Sequence, residues 1–334
     1  MSTNVTIYDV AAASGYSLAT ISRVLNHPEK VRPSTRDKVL KVIDELGYRP
    51  NMVARGLASR KTTTVGIIIS DITRASVAEM IGGIMDISDT YDYSIKIFQI
   101  HDDIHVKDVM RNVVAEQVDG VLYLNDELSE GATEEIKETL KQANIPFVFT
   151  NVLNEDKNTA SVAIDYLKAS YDMTRTLINQ GKKHIYLLST ARRYTVNTSK
   201  EAGYLKAMKE FDLEPMIFRT SGDTSINEAH FKEFFKDKEI DAAIAVRNSI
   251  AVSFLNVAIN NGYRVPEDIA VASFQNTRYS VLARPKLTVI DIPVYDIGAV
   301  GMRLLTKLMS KKTKDVGNTK IILPHNIIVR ESTI

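Results

Sequence analysis

Apolar residues recur along this chain in two rhythms. Over the first fifty residues they fall at helical spacing, in three short stretches bounded by capping residues and turns. Thr6 precedes IYDVAAAS, with Asp9 three residues on beside the positive helix end, and Gly15 stops the stretch. Ser17 caps LATISRVLN, in which Ile21, Val24 and Leu25 share one side. A third helix is expected from Ser34 to Leu46, with Val39, Val42, Ile43 and Leu46 on one face and Gly47 after it. Beyond residue 63 the rhythm changes. Short apolar runs at 65–70, 94–99, 120–124, 146–150, 184–189, 241–246 and 269–274 read as strands. Between them lie amphipathic stretches at 76–91, 105–116, 131–143, 166–181, 197–211, 225–237 and 248–262. Buried strands alternating with helices imply parallel sheets covered on both faces, and roughly 270 residues of that pattern suggest two doubly wound lobes.

Composition narrows the class. At 334 residues, 44% hydrophobic and 25% charged, the chain has the make-up of a globular protein of more than one domain. No apolar run reaches the roughly 18 residues of a membrane span, and MSTNVTIYDV has neither the basic stretch nor the apolar core of a signal peptide. A cytoplasmic protein without membrane partners is expected. With no Cys, disulfides, thiolate metal sites and Cys nucleophiles are excluded. The formal charge of +1 hides an asymmetry: residues 1–62 carry ten basic and five acidic side chains, and the rest carries 32 basic against 36 acidic. A small basic module on a larger acidic body suits separate nucleic-acid-binding and regulatory parts, although a surplus of five charges also suits an ordinary solvated surface.

The first two helices, joined by Gly-Tyr-Ser, have helix-turn-helix spacing. In such a module the second helix presents its N-terminal residues to the major groove. Here those are Leu18, Ala19, Thr20 and Arg23; Arg23 can contact guanine O6/N7 in bidentate fashion, and Leu18 and Ala19 offer apolar contact. Ser17, Thr20, Ser22 and Thr35 suit phosphates. Two short helices with a turn also occur in ordinary all-α cores, so spacing alone leaves DNA binding open. In RPNMVARGLASRKTTT, Pro50 and Asn51 start a helix of only two turns, basic through Arg55, Arg60 and Lys61, with Leu57 protruding among small neighbours. A helix that orders on DNA and wedges Leu57 into the minor groove fits this composition, and so does a flexible linker.

TIYDVAAASGYSLATISRVLN, followed by TRDKVLKVIDELGYRPNMVARGLASRKTTTVGIII, resembles the LacI/GalR family of bacterial repressors. The likeness continues through VPED, NTRYSVLARPKL, PVYDIGAVGMRLLTKLM and LPHNIIVRESTI, and these tail segments look like the carbon-catabolite-control branch of the family in Gram-positive bacteria. The resemblance implies a helix-turn-helix headpiece (1–50), a hinge helix and linker (51–62) and an effector-binding and dimerisation core (63–334) like the periplasmic binding proteins. The first lobe would comprise about 63–160 plus 291–322, the second about 161–290 plus 323–334, with crossovers near 161, 290 and 323. It implies recognition residues Ser17, Leu18, Ala19, Thr20 and Arg23, and hinge residues Asn51, Arg55, Leu57 (the minor-groove lever) and Ala58. Thr6, Tyr8, Ser22, Asn26 and Thr35 complete the expected contacts to a double-stranded, pseudo-palindromic operator bound by a homodimer.

Two regions carry the expected effectors. Ligands of this architecture bind between the lobes. There the family's first-lobe motif reads SDITRASVAEM without its aromatics, and its sugar-holding carboxylates are replaced at Asn248 and Gln275. Asp71, Lys200, Asn248 and Gln275 are the cleft candidates, and a different small ligand, or none, is expected rather than a conventional sugar. The resemblance implies a protein corepressor instead, the phosphocarrier protein HPr phosphorylated on a serine. It would dock on the first lobe through Tyr295, Asp296, Ala299, Val300, Met302, Arg303 and Lys307. Arg303 and Lys307 lie at i, i+4, a spacing suited to one phosphoryl group, although spacing alone fits a core or dimer helix with a basic edge equally. Gly82 and Asp92 stand where basic residues are common in this branch.

Nothing in the chain points to an enzyme: there is no GxSxG, P-loop, HExxH or GxGxxG after a strand. His101 and His105, with Asp102 and Asp103 between them, read as a solvated helix start rather than a metal site, and no metal or cofactor is expected. The sequence thus predicts a regulator that binds DNA with a phosphoprotein corepressor. A repressor answering to a small molecule is the alternative, and a ligand-binding protein without a DNA role is a more distant one.

Overall fold

The computed structural model describes residues 5–49, 62–101, 103–124, 128–152, 159–192, 194–221, 223–236, 239–310 and 319–334. The chain divides into two compact units, with the division between Thr62 and Thr63.

The first unit contains α1 (Ile7–Ser14), α2 (Leu18–Asn26) and α3 (Pro33–Leu46) around a small core of Val10, Ile21, Val24 and Val39. Each boundary has a local cause. The Asp9 carboxylate reaches back to accept the Thr6 amide and hydroxyl, both at 2.7 Å, so here the acidic residue does the capping and the Thr6 hydroxyl donates to it. These bonds hold the Asp9 carboxyl below its ordinary value. Gly15 and Gly47 end α1 and α3 in the left-handed conformation, at φ 73° and 62°. Pro33 starts α3 one residue earlier than the sequence predicts, at the position where its missing N–H costs nothing.

The second unit is a pair of α/β lobes. The first lobe carries β1 (Thr64–Ile69), α4 (Ala75–Thr90), β2 (Ser94–Gln99), α5 (Val106–Ala115), β3 (Gly120–Leu124), α6 (Glu130–Gln142), β4 (Phe147–Thr150) and β5 (Ala160–Ile164). The chain then crosses to the second lobe with α7 (Tyr166–Asn179), β6 (Ile185–Thr190), α8 (Thr195–Glu210), β7 (Met216–Thr220) and α9 (Thr224–Phe234). That lobe continues through β8 (Ala242–Ala245), α10 (Asn248–Asn260), β9 (Ala270–Phe274), α11 (Arg278–Leu282) and β10 (Thr288–Asp291). α12 (Val294–Met309) and β11 (Lys320–Leu323) return to the first lobe, and β12 (Asn326–Ile328) ends in the second.

The two sheets match strand for strand, in the orders β2-β1-β3-β4-β5-β11 and β7-β6-β8-β9-β10-β12. Pairing is parallel except where β12 runs antiparallel to β10, a departure from the all-parallel expectation at one sheet edge. In β1 the side chains alternate: Val65, Ile67 and Ile69 join the core under α4 and α12, and Ile68 joins Val106, Met110, Ile136 and Leu140 beneath α5 and α6. The second lobe is stiffened by an aromatic cluster in which Phe218, Phe231, Phe234, Phe235 and Phe254 stack mostly edge to face.

In each lobe a helix pair closes on glycine. A Cβ at Gly83 would strike the Tyr295 carbonyl, and one at Gly298 the Met80 carbonyl, so α4 and α12 meet backbone to backbone. In the second lobe Gly203 of α8 lies against the Leu167 carbonyl of α7 in the same way.

Candidate DNA interface, docking face and cleft

On the first unit, α2 turns Ile21 and Val24 inward and leaves its opposite face to solvent. Ser17 caps α2, accepting the Thr20 amide at 3.3 Å and meeting its hydroxyl at 3.0 Å. Leu18, Ala19, Ser22, Arg23 and Asn26 are exposed on the free face, and the Asn26 amide donates to the Ser22 hydroxyl at 3.2 Å. Tyr8 and Thr6 are exposed on and before α1, while Thr20 and Thr35 are half-buried. The structure therefore brings the predicted base-reading residues to one end of one exposed helix, where a major groove can receive them. Asn51, Arg55, Leu57 and Ala58 lie outside the described residues.

On the first lobe, Asp296, Val300, Arg303 and Lys307 form a stripe along α12 at helical spacing, with the three charged residues exposed and Val300 half-buried. Tyr295 is exposed, but its hydroxyl donates to the Asp86 carboxylate of α4. That bond, more than the slight burial, raises the Tyr295 phenol above its usual value. Ala299 is half-buried. Met302 departs from the predicted set: it is fully buried with Ile297, Leu304 and Leu305, because position 302 falls on the inward arc of the helix. A Cβ at Gly82 would lie 3.9 Å from the Tyr295 ring, and Asp92 is exposed with φ 55°.

Between the lobes is a cavity of about 560 Å³, and Asp71, Lys200, Asn248 and Gln275 all line it. Burial pushes the Asp71 carboxyl up, but bonds from the Thr73 hydroxyl and amide, then Arg74 and Arg247, outweigh it and hold the group low and ionised. Asn248 is spent on the protein. Its amide donates to the Ser273 hydroxyl at 3.1 Å and the Gln275 carbonyl at 3.0 Å, and its oxygen accepts from the Thr277 hydroxyl at 2.6 Å. The Lys200 ammonium donates to the Val246 carbonyl at 3.0 Å and lies over the Phe274 and Tyr166 rings at 4.5 and 5.3 Å. Three tyrosines, Tyr166, Tyr194 and Tyr279, also line the cavity, so aromatics missing from the first-lobe motif come from other elements. The sequence also left out Asn151, whose carboxamide oxygen accepts from the Tyr166 hydroxyl. The available signal was its place directly after an apolar strand, equivalent to that of Gln275.

Among the described residues, no group of three His, Asp or Glu is placed to hold a metal ion, and Asp102 lies outside them. No helix of the described residues is long and apolar enough to cross a membrane.

The model of bacterial regulatory proteins of the lacI family matches residues 6–51, and that of the periplasmic binding protein-like domain matches 174–333. The chain is 41% identical to catabolite control protein A of Priestia megaterium over 337 residues, covering 99% of each chain. It is 39% identical to the HTH-type transcriptional regulator pepR1 of Lactobacillus delbrueckii subsp. lactis, covering 99% of this chain and 98% of that protein. Among solved structures, the transcription regulator CcpA of Lactococcus lactis is 30% identical over 81% of this chain and 99% of its own, with a TM-score of 0.71. The lac repressor dimer bound to operator and the anti-inducer ONPF shares the fold, with a TM-score of 0.89 at 22% identity over 99% of this chain and all of that one. An exposed helix-turn-helix face on a basic unit, two matched lobes and kinship along nearly the whole length lead to one conclusion: the chain belongs to the lacI family of bacterial regulatory proteins and is a DNA-binding transcriptional regulator.

Proposed function

We propose that this regulator serves carbon catabolite control, binding a pseudo-palindromic operator as a homodimer when serine-phosphorylated HPr docks on the first lobe. The observation that carries this reading is the exposed pair Arg303 and Lys307, one turn apart on α12, in a chain 41% identical to catabolite control protein A. Two cations at that spacing can share one phosphoryl group through charge-assisted hydrogen bonds. Docking would fix the dimer geometry so that both hinge segments, with Asn51, Arg55, Leu57 and Ala58, order in the minor groove. Two-fold symmetry of the dimer demands matched half-sites, and affinity should fall steeply with salt as phosphate counterions are displaced.

A gel shift with and without serine-phosphorylated HPr tests the reading. Operator binding should rise with the phosphoprotein but not with unphosphorylated HPr, and Arg303→Ala should cut the enhancement about tenfold or more. No response at saturating phosphoprotein would sink it. A second reading, a repressor governed by a small molecule, is favoured by the interlobe cavity of about 560 Å³. The protein is then a regulator in both cases, and the two differ in where the signal enters.

A further inference from the structure

Three short links join the two lobes. They are Asp165 between β5 and α7, Ile292 and Pro293 between β10 and α12, and Pro324 and His325 between β11 and β12. Strand register shows how they lie. Ile164 at the end of β5 pairs with Leu323 at the end of β11, so the first and third links leave the first lobe side by side. Asn326 at the start of β12 pairs with Asp291 at the end of β10, so the third and second links meet the second lobe side by side. Pro324 and His325 are therefore the middle strap of the three.

The strap has little freedom of its own. Proline fixes its φ, and Leu323 before it is confined to extended backbone and already paired in the sheet. If one lobe turns against the other, the motion at this link falls on ψ of Pro324 and on the two torsions of His325. The His325 side chain is itself anchored. It is 11% exposed, and Nε2 lies 3.2 Å from a carboxylate oxygen of Asp172 in the second turn of α7. Asp172 is the ring's hydrogen-bonding partner among the described residues.

Asp172 is fixed in turn by its own helix. Lys168, one turn before it, lies at 2.5 Å, and Arg175 lies at 3.8 Å. Burial pushes the Asp172 carboxyl up, but bonds from Lys168 and then His325 outweigh it and keep the group ionised. The Asp165 carboxylate caps α7 by accepting the Lys168 amide at 2.8 Å, so the helix is tied down where the first link enters it. The anion that receives His325 thus belongs to the body of the second lobe.

We infer that the His325–Asp172 bond is a strut on the middle strap, holding His325 to α7 and leaving ψ of Pro324 as the strap's free torsion. The angle between the lobes is then confined, whichever effector acts on the regulator. Without the bond, His325 returns its two torsions to the link, and the lobes sample a wider range of angles.

The test uses spin labels, which a chain without Cys accepts at chosen sites. Pulsed electron double resonance between labels at Glu138→Cys on α6 and Lys232→Cys on α9, both exposed, reads the distance between the lobes. Doubly labelled full chain is mixed with excess unlabelled chain, so that distances within one copy are measured. The parent should give one narrow distribution. His325→Ala and Asp172→Ala should each raise the share of displaced distances about tenfold. The double variant should add nothing beyond either, because both remove the same bond. His325→Gln keeps an N–H donor and should retain the parent's distribution. If Asp172→Ala does not fold, Asp172→Asn removes the charge at constant shape and should give a smaller rise in the same direction. The inference is overturned if the parent is already broad, if His325→Ala leaves the distribution unchanged, if His325→Gln broadens it as much as His325→Ala, or if the two alanine effects add.

Discussion

The two lobes share a strand order and differ in what they do with it. The second lobe is held by a continuous aromatic core and by Glu201, which accepts two bonds from Arg219 at 2.7 Å and one from the Ser189 hydroxyl at 2.6 Å. The described residues of the first lobe hold no two-bonded pair of that kind: Asp71 meets the half-buried Arg74 only at 3.8 Å, and the Lys96–Glu116 pair, at 2.6 Å, is more exposed than Glu201 and Arg219. That lobe presents α12 and α4 instead, locked through Gly83 and Gly298, with charged side chains turned outward. One topology thus yields a lobe organised around its interior and a lobe organised around an external face.

That contrast can be broken most strongly at the glycines. Gly298→Ala and Gly203→Ala each drive a methyl into a carbonyl of the neighbouring helix and should lower stability by about 3 kcal/mol in urea unfolding. Gly82→Ala, one residue from the crossing, adds a methyl in ordinary contact with the Tyr295 ring and should be neutral or stabilising by up to about 1 kcal/mol. Equal losses at all three would show that helix propensity, not close approach, sets the effect.

Next in size is the ion-pair asymmetry. Glu201→Ala strands a half-buried guanidinium and should cost about 2 kcal/mol, whereas Glu116→Ala should cost no more than about 0.5 kcal/mol. A cost for Glu116→Ala matching that for Glu201→Ala would erase the distinction between the lobes.

The smallest effect expected is on acid stability. Bonds from Arg264 hold the Asp268 carboxyl down to about 2 at the turn before β9. A group depressed in the folded state stabilises it above the unfolded value, so that contribution is present above about pH 4 and lost as pH falls toward 2. Asp268→Asn should flatten the fall of unfolding temperature across that window; an unchanged slope would exclude Asp268 as its source.

The headpiece was legible in the sequence because its signals are local: Ser17 before an apolar-periodic run, and Gly15 and Gly47 after others. The buried strands of the core were legible as apolar runs for the same reason. β5, β7, β10, β11 and β12 were not, because they are short, built partly of Ala, Ser, Thr or Lys, or half-exposed at sheet edges, where no continuous apolar run is needed. Met302 shows another limit. It lies beside the exposed Arg303, and only the packing of α12 on the sheet settles that residue 302 points inward with Gly301. At the cleft, Asp71, Lys200, Asn248 and Gln275 were recognisable by position, and Asn151 had the same strand-end signal, but Tyr166 and Tyr194 reach the cavity through a chain crossing and a helix start that no local pattern records.

The glycine crossing of α4 and α12 has a mechanical consequence. Side chains between two helices act as a compliant layer, absorbing small displacements by changing rotamer, and here that layer is missing where Gly83 and Gly298 meet carbonyl oxygens. A load applied to the outer face of α12 reaches α4 with little slack, so the pair responds as a lever and not as a cushion.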